Sequence, residues 1–416
     1  MRLSLEDLEG RSTLLKAAFV IPWYGENLMG GAERLCRTTA ENLRRRGIDV
    51  EVLTTCSKEF LSDWTNYYEE GLYWINGVPV RRFRVDSRDR RLFDEINLKL
   101  MNSYPISRKE ESDFIKHSIN SSSLCNYISE HASEYIFAFI PYMFGTTFFG
   151  SQICPERSFL IPCLHDESYA YLDIFKEMFE NVRGIVFLSE PELELAKKIF
   201  NLAKADLRLI GAGIDTEVDF NGARFIEKYG LKDGFILYVG RKDRTKNTHL
   251  LVDYFSRFSD LRRTKLKLVL NGPGAVAIPD SHKSNVIDLK PSSGQEKFDA
   301  YAAALVTCQP SVHESFSMVI MESWVCGTPV LVHADCDVTR YNCIRSNGGL
   351  YFRDFDEFVQ CLDFYVNNPY ARMKMAESGR KYVLSNYGWD VIIPKYLQFL
   401  RNFTGEQIFK EPVEDV

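Results

Sequence analysis

The stretch LVTCQPSVHESFSMVIMESWVCGTPVLVHAD, residues 305–335, carries the pattern that decides the fold. An apolar run that ends near Cys308 predicts a strand, Pro310 interrupts it, and a helix is expected to follow until Gly327. A second strand is expected over residues 329–333. This order of strand, helix and strand is a βαβ unit, which is typical of a parallel sheet covered by helices.

Two carboxylates, Glu314 and Glu322, lie eight residues apart in this unit. On one helix this spacing is about 12 Å of rise, which is similar to the distance from the sugar to the ribose in an extended nucleoside-diphosphate sugar. The two acids could therefore hold the two ends of one donor. Periodicity alone favours the plainer alternative, in which Glu314 is a charge at a helix N-terminus and Glu322 is a solvated surface residue.

The predicted start of the helix contains the three residues that follow Glu314, which are Ser315, Phe316 and Ser317. Their backbone N–H groups would lack helical partners there and could bind an anion. This position suits the diphosphate of such a donor.

The segment HESFSMVIMESWVCGTPVL, residues 313–331, resembles the ExxxxxxxE signature of retaining glycosyltransferases of the GT-B fold, family 4, the glycosyl transferases group 1. That signature is usually seen as EGFGxxxxEAMxxGxPV, so Ser315 and Ser317 replace two glycines. The replacement leaves the backbone amides available and narrows the room for the sugar. The resemblance implies an α/β protein with two doubly wound, Rossmann-like domains facing a cleft, and a C-terminal helix crossing back to the first domain.

Composition agrees with a two-domain protein. The chain has 416 residues, of which 45% are hydrophobic and 26% charged, and a formal net charge of -6. This acidic balance argues against general affinity for nucleic acid. The start, MRLSLEDLEG, lacks the features of a signal peptide, and no GxGxxG follows a predicted strand, which argues against a dinucleotide-dependent dehydrogenase. We expect domains at 1–215 and 216–385, with the returning helix at 386–416.

The N-terminal region predicts the opening of a doubly wound sheet. Residues 14–23 form a near-continuous apolar run, as expected of a central parallel strand, and a loop with Gly30 and Gly31 follows before a helix. A glycine pair alone is equally explained by a tight turn. GGAER resembles the glycine loop of the family, which implies that Gly30 and Gly31 approach the donor phosphate and that Tyr24 lies on the acceptor side.

A later apolar run, residues 159–164, predicts a strand that ends at His165 and Asp166. A histidine at the carboxyl end of such a strand is better placed for chemistry than a core histidine. The resemblance implies that both residues lie on the acceptor side near the transferred sugar, with a catalytic role for His165.

In the second half, residues 234–240 predict a buried strand, and RKDRTKN follows before a helix. Arg241 and Lys246 could converge on a diphosphate whose leaving group gains negative charge during transfer. Either cation alone would be explained as a solvated loop charge. The pair matches the family's VGRxxxxKG pattern, with Asn247 in place of the glycine, and NGPG at 271–274 resembles the family's loop near the base.

The resemblance thus implies a catalytic set of Glu314, Arg241, Lys246 and His165. The implied donor-binding set is Gly30, Gly31, Arg241, Lys246, Asn271, Gly272, Glu314, Ser315, Phe316, Ser317 and Glu322. No cofactor and no metal are expected, because two cations and a helix end already counter the diphosphate and no DxD stands at a strand end.

Residues 81–91, RRFRVDSRDRR, hold six arginines in an acidic protein. One interpretation is a strand followed by a solvated, charge-rich loop. The other is a basic patch for an anionic acceptor or for anionic lipid headgroups, with the aromatic run at 135–149 contacting sugar or lipid.

The function that the resemblance implies is retaining transfer of a hexose from a UDP- or GDP-sugar to a hydroxyl of a saccharide acceptor. We expect this acceptor to be lipid-linked, in cell-envelope polysaccharide or glycan biosynthesis. We expect the protein in the cytoplasm, either free or peripheral at the inner membrane face. Two alternatives stay open: a nucleotide-sugar epimerase of similar two-domain fold, and a catalytically silent module that binds a sugar nucleotide.

Overall fold

The computed structural model describes residues 16–28, 30–292 and 294–404. Several sequence-based expectations fall outside these residues: the absence of a signal peptide at 1–10, the first two positions of the strand expected at 14–23, and positions 405–416 of the returning helix expected at 386–416. Ser293, which with Glu296 forms a capping-box pattern in the sequence, also lies outside them.

The described residues form two compact units. The first comprises residues 16–188, 192–211 and 393–404, and the second comprises 189–191 and 212–392. The sequence places the domain limits at 215/216 and 385/386.

The first unit contains an eight-stranded sheet covered by helices. Its strands are β1 (Lys16–Ile21), β2 (Val50–Thr55), β3 (Gly71–Ile75), β4 (Val78–Phe83), β5 (Tyr135–Phe139), β6 (Ser158–Leu160), β7 (Gly184–Phe187) and β8 (Asp206–Leu209). Its helices are α1 (Gly31–Arg45), α2 (Arg90–Met101), α3 (Arg108–Lys116), α4 (Ser122–Glu130), α5 (Gly145–Ser151), α6 (Ile174–Asn181) and α7 (Glu190–Ile199). The strand order is β3-β4-β2-β1-β5-β6-β7-β8, so the strand order reverses between β1 and β5.

The edge of this sheet is a hairpin that the sequence analysis missed. β3 pairs antiparallel with β4, whereas the other neighbouring strands of the sheet run parallel. Asn76 and Gly77 join the two strands with φ angles of +50° and +77°. An Asn-Gly pair is the preferred two-residue hairpin turn because both positions need a left-handed backbone.

The second unit contains a six-stranded parallel sheet with helices between its strands. Its strands are β9 (Phe235–Val239), β10 (Lys267–Asn271), β11 (Val286–Leu289), β12 (Val306–Gln309), β13 (Val330–His333) and β14 (Gly349–Phe352). Its helices are α8 (Gly222–Tyr229), α9 (Thr248–Arg262), α10 (Gly294–Ala303), α11 (Met318–Val325), α12 (Asp337–Ser346), α13 (Phe355–Asn367) and α14 (Pro369–Asn386).

The strand order of this sheet, β11-β10-β9-β12-β13-β14, places its reversal between β9 and β12. The chain runs from β9 to one edge, returns to β12 and continues to the other edge. Doubly wound sheets bind ligands at the carboxyl ends of the strands that flank such a reversal. The loops after β9 and β12 are therefore the place to look for a site.

Helix α11 is held by a tryptophan that fills a space left by two glycines. Trp324 is 0% exposed, and its Nε1 donates to the carbonyl of Gly348 at 2.8 Å. A Cβ on Gly348 would lie 2.7 Å from that nitrogen, and one on Gly379 of α14 would lie 2.3 Å from Trp324 Cδ1. The lack of a side chain at both positions lets α14 approach α11.

The last helix, α15 (Trp389–Thr404), returns to the first unit, as expected. Phe399 packs edge-on against Phe159 with ring centroids 5.0 Å apart. Gly184 lies under the same ring, where a Cβ would meet Phe399 Cζ at 3.0 Å.

The contact between α14 and Trp324 can be tested with Gly379→Ala. Alanine favours a helix over glycine by about 1 kcal/mol, but the added methyl collides with the indole, and we expect a net loss of about 2 kcal/mol, as in other overpacked sites. Urea unfolding of the second unit measures the difference. The neighbouring Ser378→Ala is the control, for which we expect equal or slightly higher stability; a stabilised Gly379→Ala would contradict the packing described.

Candidate active site

The loops after β9 and β12 are joined by an ion pair. Lys246 Nζ lies 2.7 Å from Glu314 Oε1, with the two side chains 23% and 11% exposed. Gln309, the last residue of β12, donates from Nε2 to the same carboxylate oxygen at 3.4 Å. The structure thus brings together two of the predicted catalytic residues at the reversal of the strand order.

Asp243 organises the loop that carries both predicted cations. Its carboxylate accepts from the backbone N–H of Lys246 at 2.9 Å and lies 3.5 Å from Arg241 Nε. Asp243 was not predicted as a site residue, although an aspartate between basic residues in RKDRTKN is a signal for such a turn. Arg241 and Lys246 therefore lie in one loop whose conformation Asp243 stabilises.

Burial and the neighbouring carboxylate affect a thiol beside this site. Burial, and after it the charge of Glu314, raises the pKa of Cys336 to about 11. Cys336 is 1% exposed. The thiol therefore stays protonated and acts as a small apolar side chain next to the ion pair.

The prediction that both glutamates lie on one helix is wrong. α11 begins at Met318, so Glu314 lies in the loop before it and only Glu322 is helical. Ser317 has a φ of +66°, a left-handed backbone that cannot continue a right-handed helix towards Glu314. The distance between the two acids is therefore not the rise of eight residues along one straight helix.

The residues before α11 leave their backbone N–H groups available. Within the described part of the chain, the backbone N–H groups of Ser315, Phe316 and Ser317 donate no hydrogen bond, and no side chain caps the helix. The ring of Phe316 is buried, edge-on to Tyr387 at 5.0 Å. This arrangement is compatible with the predicted anion site at the helix N-terminus.

Glu322 is 2% exposed, so the alternative of a solvated surface residue is wrong. Its Oε1 accepts from Lys297 Nζ at 2.8 Å, and its Oε2 accepts from the hydroxyl of Tyr301 at 3.0 Å. Both partners are on α10 and were not singled out from the sequence, although positions four apart share one face of a helix. Contact of Glu322 with a ribose stays a prediction.

The loop after β10 is fixed to its neighbours. Asn271 donates from Nδ2 to Ser292 Oγ at 2.5 Å and accepts from the N–H of Ser292 at 3.0 Å. Gly272 has a φ of +155°, and a Cβ there would lie 1.9 Å from the carbonyl oxygen of Gly240. The Asn271 side chain is thus engaged within the protein, while the backbone of this loop lies against the loop after β9.

In the first unit, Gly30 and Gly31 stand at the start of α1, as the N-cap and the first helical residue. Trp23 Nε1 donates to the carboxylate of Glu33 beside them. Tyr24 is 1% exposed, so a contact with an acceptor would require this ring to become accessible. The roles of these residues stay predictions.

His165 and Asp166 follow β6, which ends at Leu160 and not at 164 as expected. His165 Nδ1 lies 3.3 Å from Glu167 Oε1, and Asp166 Oδ1 accepts from the hydroxyl of Tyr171 at 2.7 Å. Backbone direction changes before the histidine, since Cys163 has a φ of +53°.

A buried carboxylate supports the backbone beside His165. Glu192 is 1% exposed and accepts from the N–H of Leu164 at 2.7 Å and from that of Leu188 at 2.6 Å. It therefore joins the segments after β6 and β7. Glu192 was not predicted as a site residue, because the segment PELELAKK has the pattern of an ordinary exposed helix start.

The six arginines of 81–91 do not form one basic surface. Arg82 is 3% exposed and donates to the carbonyl oxygen of Tyr24 at 2.7 Å, and Arg88 donates to that of His117 at 3.0 Å. Arg81, Arg90 and Arg91 pair with Glu51, Asp94 and Glu95. The expectation that all six arginines form one basic patch is therefore wrong for Arg82 and Arg88, which are engaged within the first unit, and it stays a prediction for the exposed Arg90 and Arg91.

The aromatic run at 135–149 is also less accessible than expected. The following members lie in the hydrophobic core of the first unit: Tyr135, Phe137, Phe139, Tyr142 and Phe144. They are therefore not available to an acceptor. In the part of the chain that the structure describes, no helix is long and apolar enough to cross a membrane, and no three His, Cys, Asp or Glu side chains are grouped as metal ligands would be.

Two doubly wound units, the second with cations and carboxylates at its strand-order reversal, define the class of this protein as doubly wound α/β. Residues 220–382 match the family model described as Glycosyl transferases group 1. This match lies within the second unit, which is therefore similar to that family.

Curated relatives agree with this family. A D-inositol 3-phosphate glycosyltransferase of Kribbella flavida is 26% identical over 249 residues, which cover 55% of this chain and 58% of the relative. The chain therefore spans little more than half the length of that relative. An uncharacterized glycosyltransferase of Methanocaldococcus jannaschii is 26% identical over 91% of this chain and 96% of its own length.

Solved structures confirm the GT-B fold. Sucrose-phosphate synthase from Thermosynechococcus elongatus aligns with a TM-score of 0.67 at 16% identity, over 94% of this chain and 99% of its own. HepE of Anabaena, in complex with UDP-glucose, aligns with a TM-score of 0.66 at 12% identity, over 93% of this chain and 100% of its own. The cleft expected between the two domains stays a prediction.

The buried position of Glu322 gives a stability prediction for its partner. Lys297→Met leaves a carboxylate in the interior without its cation, and we expect a loss of about 3 kcal/mol in the free energy of unfolding. Chemical denaturation measures it. Lys228→Met is the matched control, because Lys228 pairs with Glu296 of the same helix α10 but is 59% exposed, and we expect it to cost less than about 1 kcal/mol. Equal losses in both variants would contradict the description of Glu322 as a buried, charge-paired residue.

Proposed function

We propose that the protein is a retaining hexosyltransferase that transfers a sugar from a UDP- or GDP-sugar to a hydroxyl of a saccharide acceptor. The observation that carries this proposal is the ion pair between Lys246 and Glu314, at the position where a doubly wound sheet binds its ligand. In the proposed complex, Lys246 would bind the diphosphate and Glu314 would contact the sugar.

The relatives support a nucleotide-sugar donor. HepE of Anabaena was solved with UDP-glucose and with UDP, and it shares the fold over nearly its full length. The Kribbella flavida relative carries the name of an inositol phosphate glycosyltransferase. For the present chain, the donor class and the transfer reaction are proposals that rest on the site together with this likeness.

In the proposed reaction the bond between the anomeric carbon and the diphosphate oxygen breaks, and a bond to the acceptor oxygen forms on the same face of the sugar. The acceptor hydroxyl gives its proton to the phosphate oxygen from which the sugar departs, and the nucleoside diphosphate leaves. Arg241, Lys246 and the N-terminus of α11 would stabilise the charge that develops on the leaving group. Glu314 would contact the sugar, Glu322 the ribose, and His165 the acceptor side.

A lipid-linked acceptor at the inner membrane face, in cell-envelope polysaccharide or glycan synthesis, is the finer part of the proposal. Arg82 and Arg88 are engaged within the first unit and would take no part in this contact. Sedimentation with anionic vesicles at low and high salt tests it, since attraction to headgroups is screened within about 10 Å at 0.1 M salt.

A thermal-shift screen with UDP, GDP, ADP and CMP tests the donor site. A nucleotide that binds only the folded protein raises its melting temperature by mass action. We expect a shift with UDP or GDP and none with CMP. Product analysis with a radiolabelled donor then separates transfer from epimerisation, and a shift without any product would favour the silent binding module.

The leaving-group role of the two cations gives a kinetic prediction. Arg241→Ala and Lys246→Ala should each raise the barrier by about 2–4 kcal/mol, the range for loss of one preorganised charge donor. Single-turnover rates measure the effect, with circular dichroism to confirm folding. Lys283→Ala is the control, because this lysine is 67% exposed and pairs only locally with Asp280. Wild-type rates in both loop variants would remove them from the mechanism.

Independence from metal is a separate prediction. Since two cations and a helix end counter the diphosphate, we expect turnover to persist in EDTA. The assay is sugar transfer in metal-free buffer with and without added Mg²⁺ or Mn²⁺. Complete loss in EDTA that either ion restores would show that the charge balance proposed for the donor site is incomplete.

A further inference from the structure

Ser317 combines two unfavourable features in one residue. Its φ of +66° is left-handed, a region that a residue with a Cβ seldom adopts. Its side chain is 6% exposed, and its Oγ has no hydrogen-bond partner among the described residues. A buried hydroxyl without a partner is costly. Glycine at this position would remove both costs.

Helix capping does not explain the serine. A serine N-cap normally has an extended backbone, and its oxygen accepts from an N–H in the first helical turn. Ser317 precedes the first residue of α11 but is left-handed, and it makes no such bond. Its hydroxyl and the backbone N–H groups beside it are therefore all left for another acceptor.

The position of Ser317 relative to the ion pair identifies that acceptor. Ser317 follows Glu314 by three residues, a separation of at most about 10 Å along an extended chain, and Glu314 contacts Lys246 at 2.7 Å. Hydroxyl and amide donors beside a lysine favour an anion with several oxygens. Rotation about χ1 among its staggered positions can turn Oγ towards such a ligand.

We propose that the hydroxyl of Ser317 donates a hydrogen bond to the β-phosphate of the bound nucleoside diphosphate. The inference rests on the proposed function. We choose the β-phosphate because it is the phosphate bonded to the sugar. Ser317 is closer along the chain to Glu314, which is proposed to contact the sugar, than to Glu322, which is proposed to contact the ribose. Ser317 thus discriminates nucleoside diphosphates from monophosphates by its side chain and not by its backbone alone.

Calorimetric titration of Ser317→Gly and Ser317→Ala tests this, with UDP and UMP as ligands, or GDP and GMP if the guanine nucleotide binds the wild type. We expect both variants to bind the diphosphate on the order of tenfold more weakly, as for loss of one bond to a charged group, and the monophosphate as the wild type does. We also expect Ser317→Gly not to lower the melting temperature, because it relieves the left-handed serine.

Two control variants separate the hydroxyl at this place from general effects. Ser151→Ala removes another buried, unpartnered hydroxyl, in α5 of the first unit. Asn347→Gly relieves another left-handed residue of the second unit, with a φ of +51°. We expect both to bind the diphosphate as the wild type does.

The outcomes are distinct. Wild-type affinity of both Ser317 variants for the diphosphate would overturn the inference while leaving the proposed function intact. Equal weakening for diphosphate and monophosphate would also overturn it, since the contact would then not be with the β-phosphate. If the wild type bound none of UDP, GDP and ADP, the proposed function itself would fail, and the inference with it.

Discussion

The contact between Lys246 and Glu314 depends on a strand order that no local sequence pattern contains. The two residues are 68 positions apart, and each stands in a loop that a different strand delivers to the same edge of the sheet. Because both side chains are only partly exposed, water screens this pair less than it would screen a pair at the surface. The pair therefore links the two loops of the site and keeps a cation and a carboxylate side by side, as the proposed donor requires.

The surrounding loops are held so that these groups need little rearrangement. Asp243 ties the backbone of Lys246 to the side chain of Arg241. Gly272 lets the next loop approach so closely that a methyl group would overlap the carbonyl of Gly240. Groups that are fixed before the ligand arrives stabilise developing charge without a cost of reorganisation. The rigidity of this region comes from loop-to-loop contacts as much as from the sheet.

Sequence patterns were informative where the structure is local. The apolar runs predicted β9 and β13, and the spacing of Arg241 and Lys246 placed both in one strand-to-helix loop. The same reasoning failed where a distant partner or one backbone angle decides. Charge counting could not show that Arg82 is buried against Tyr24. Helical periodicity could not show that α11 begins only after a left-handed serine, Ser317, so that Glu314 lies outside the helix.

The Asn76-Gly77 hairpin is a different kind of failure, because its signal is local and was present in the sequence. For the stretch after it, residues 81–91, the composition suggested either a strand followed by a charge-rich loop or a basic patch, and the hairpin was not predicted. In the structure, Arg81 and Arg82 are part of β4, where side chains alternate between the two faces of the sheet. Alternation explains why neighbouring arginines have such different surroundings: Arg81 meets Glu51 and Arg82 turns to the carbonyl of Tyr24.

The two glutamates of the signature show how identical residues acquire different roles from their surroundings. Glu314 lies in a loop, with one lysine from a second loop and one glutamine as neighbours, so a ligand could compete for these partners. Glu322 lies inside a helix, with both oxygens engaged by α10. Breaking the buried contacts of Glu322 would leave a charge in the interior, whereas those of Glu314 lie at an edge that water can reach. A ligand that displaces Lys246 from Glu314 therefore meets a smaller barrier than one that displaces Lys297 from Glu322. Rearrangement on binding of a ligand should accordingly begin at Glu314, while α11 stays in place.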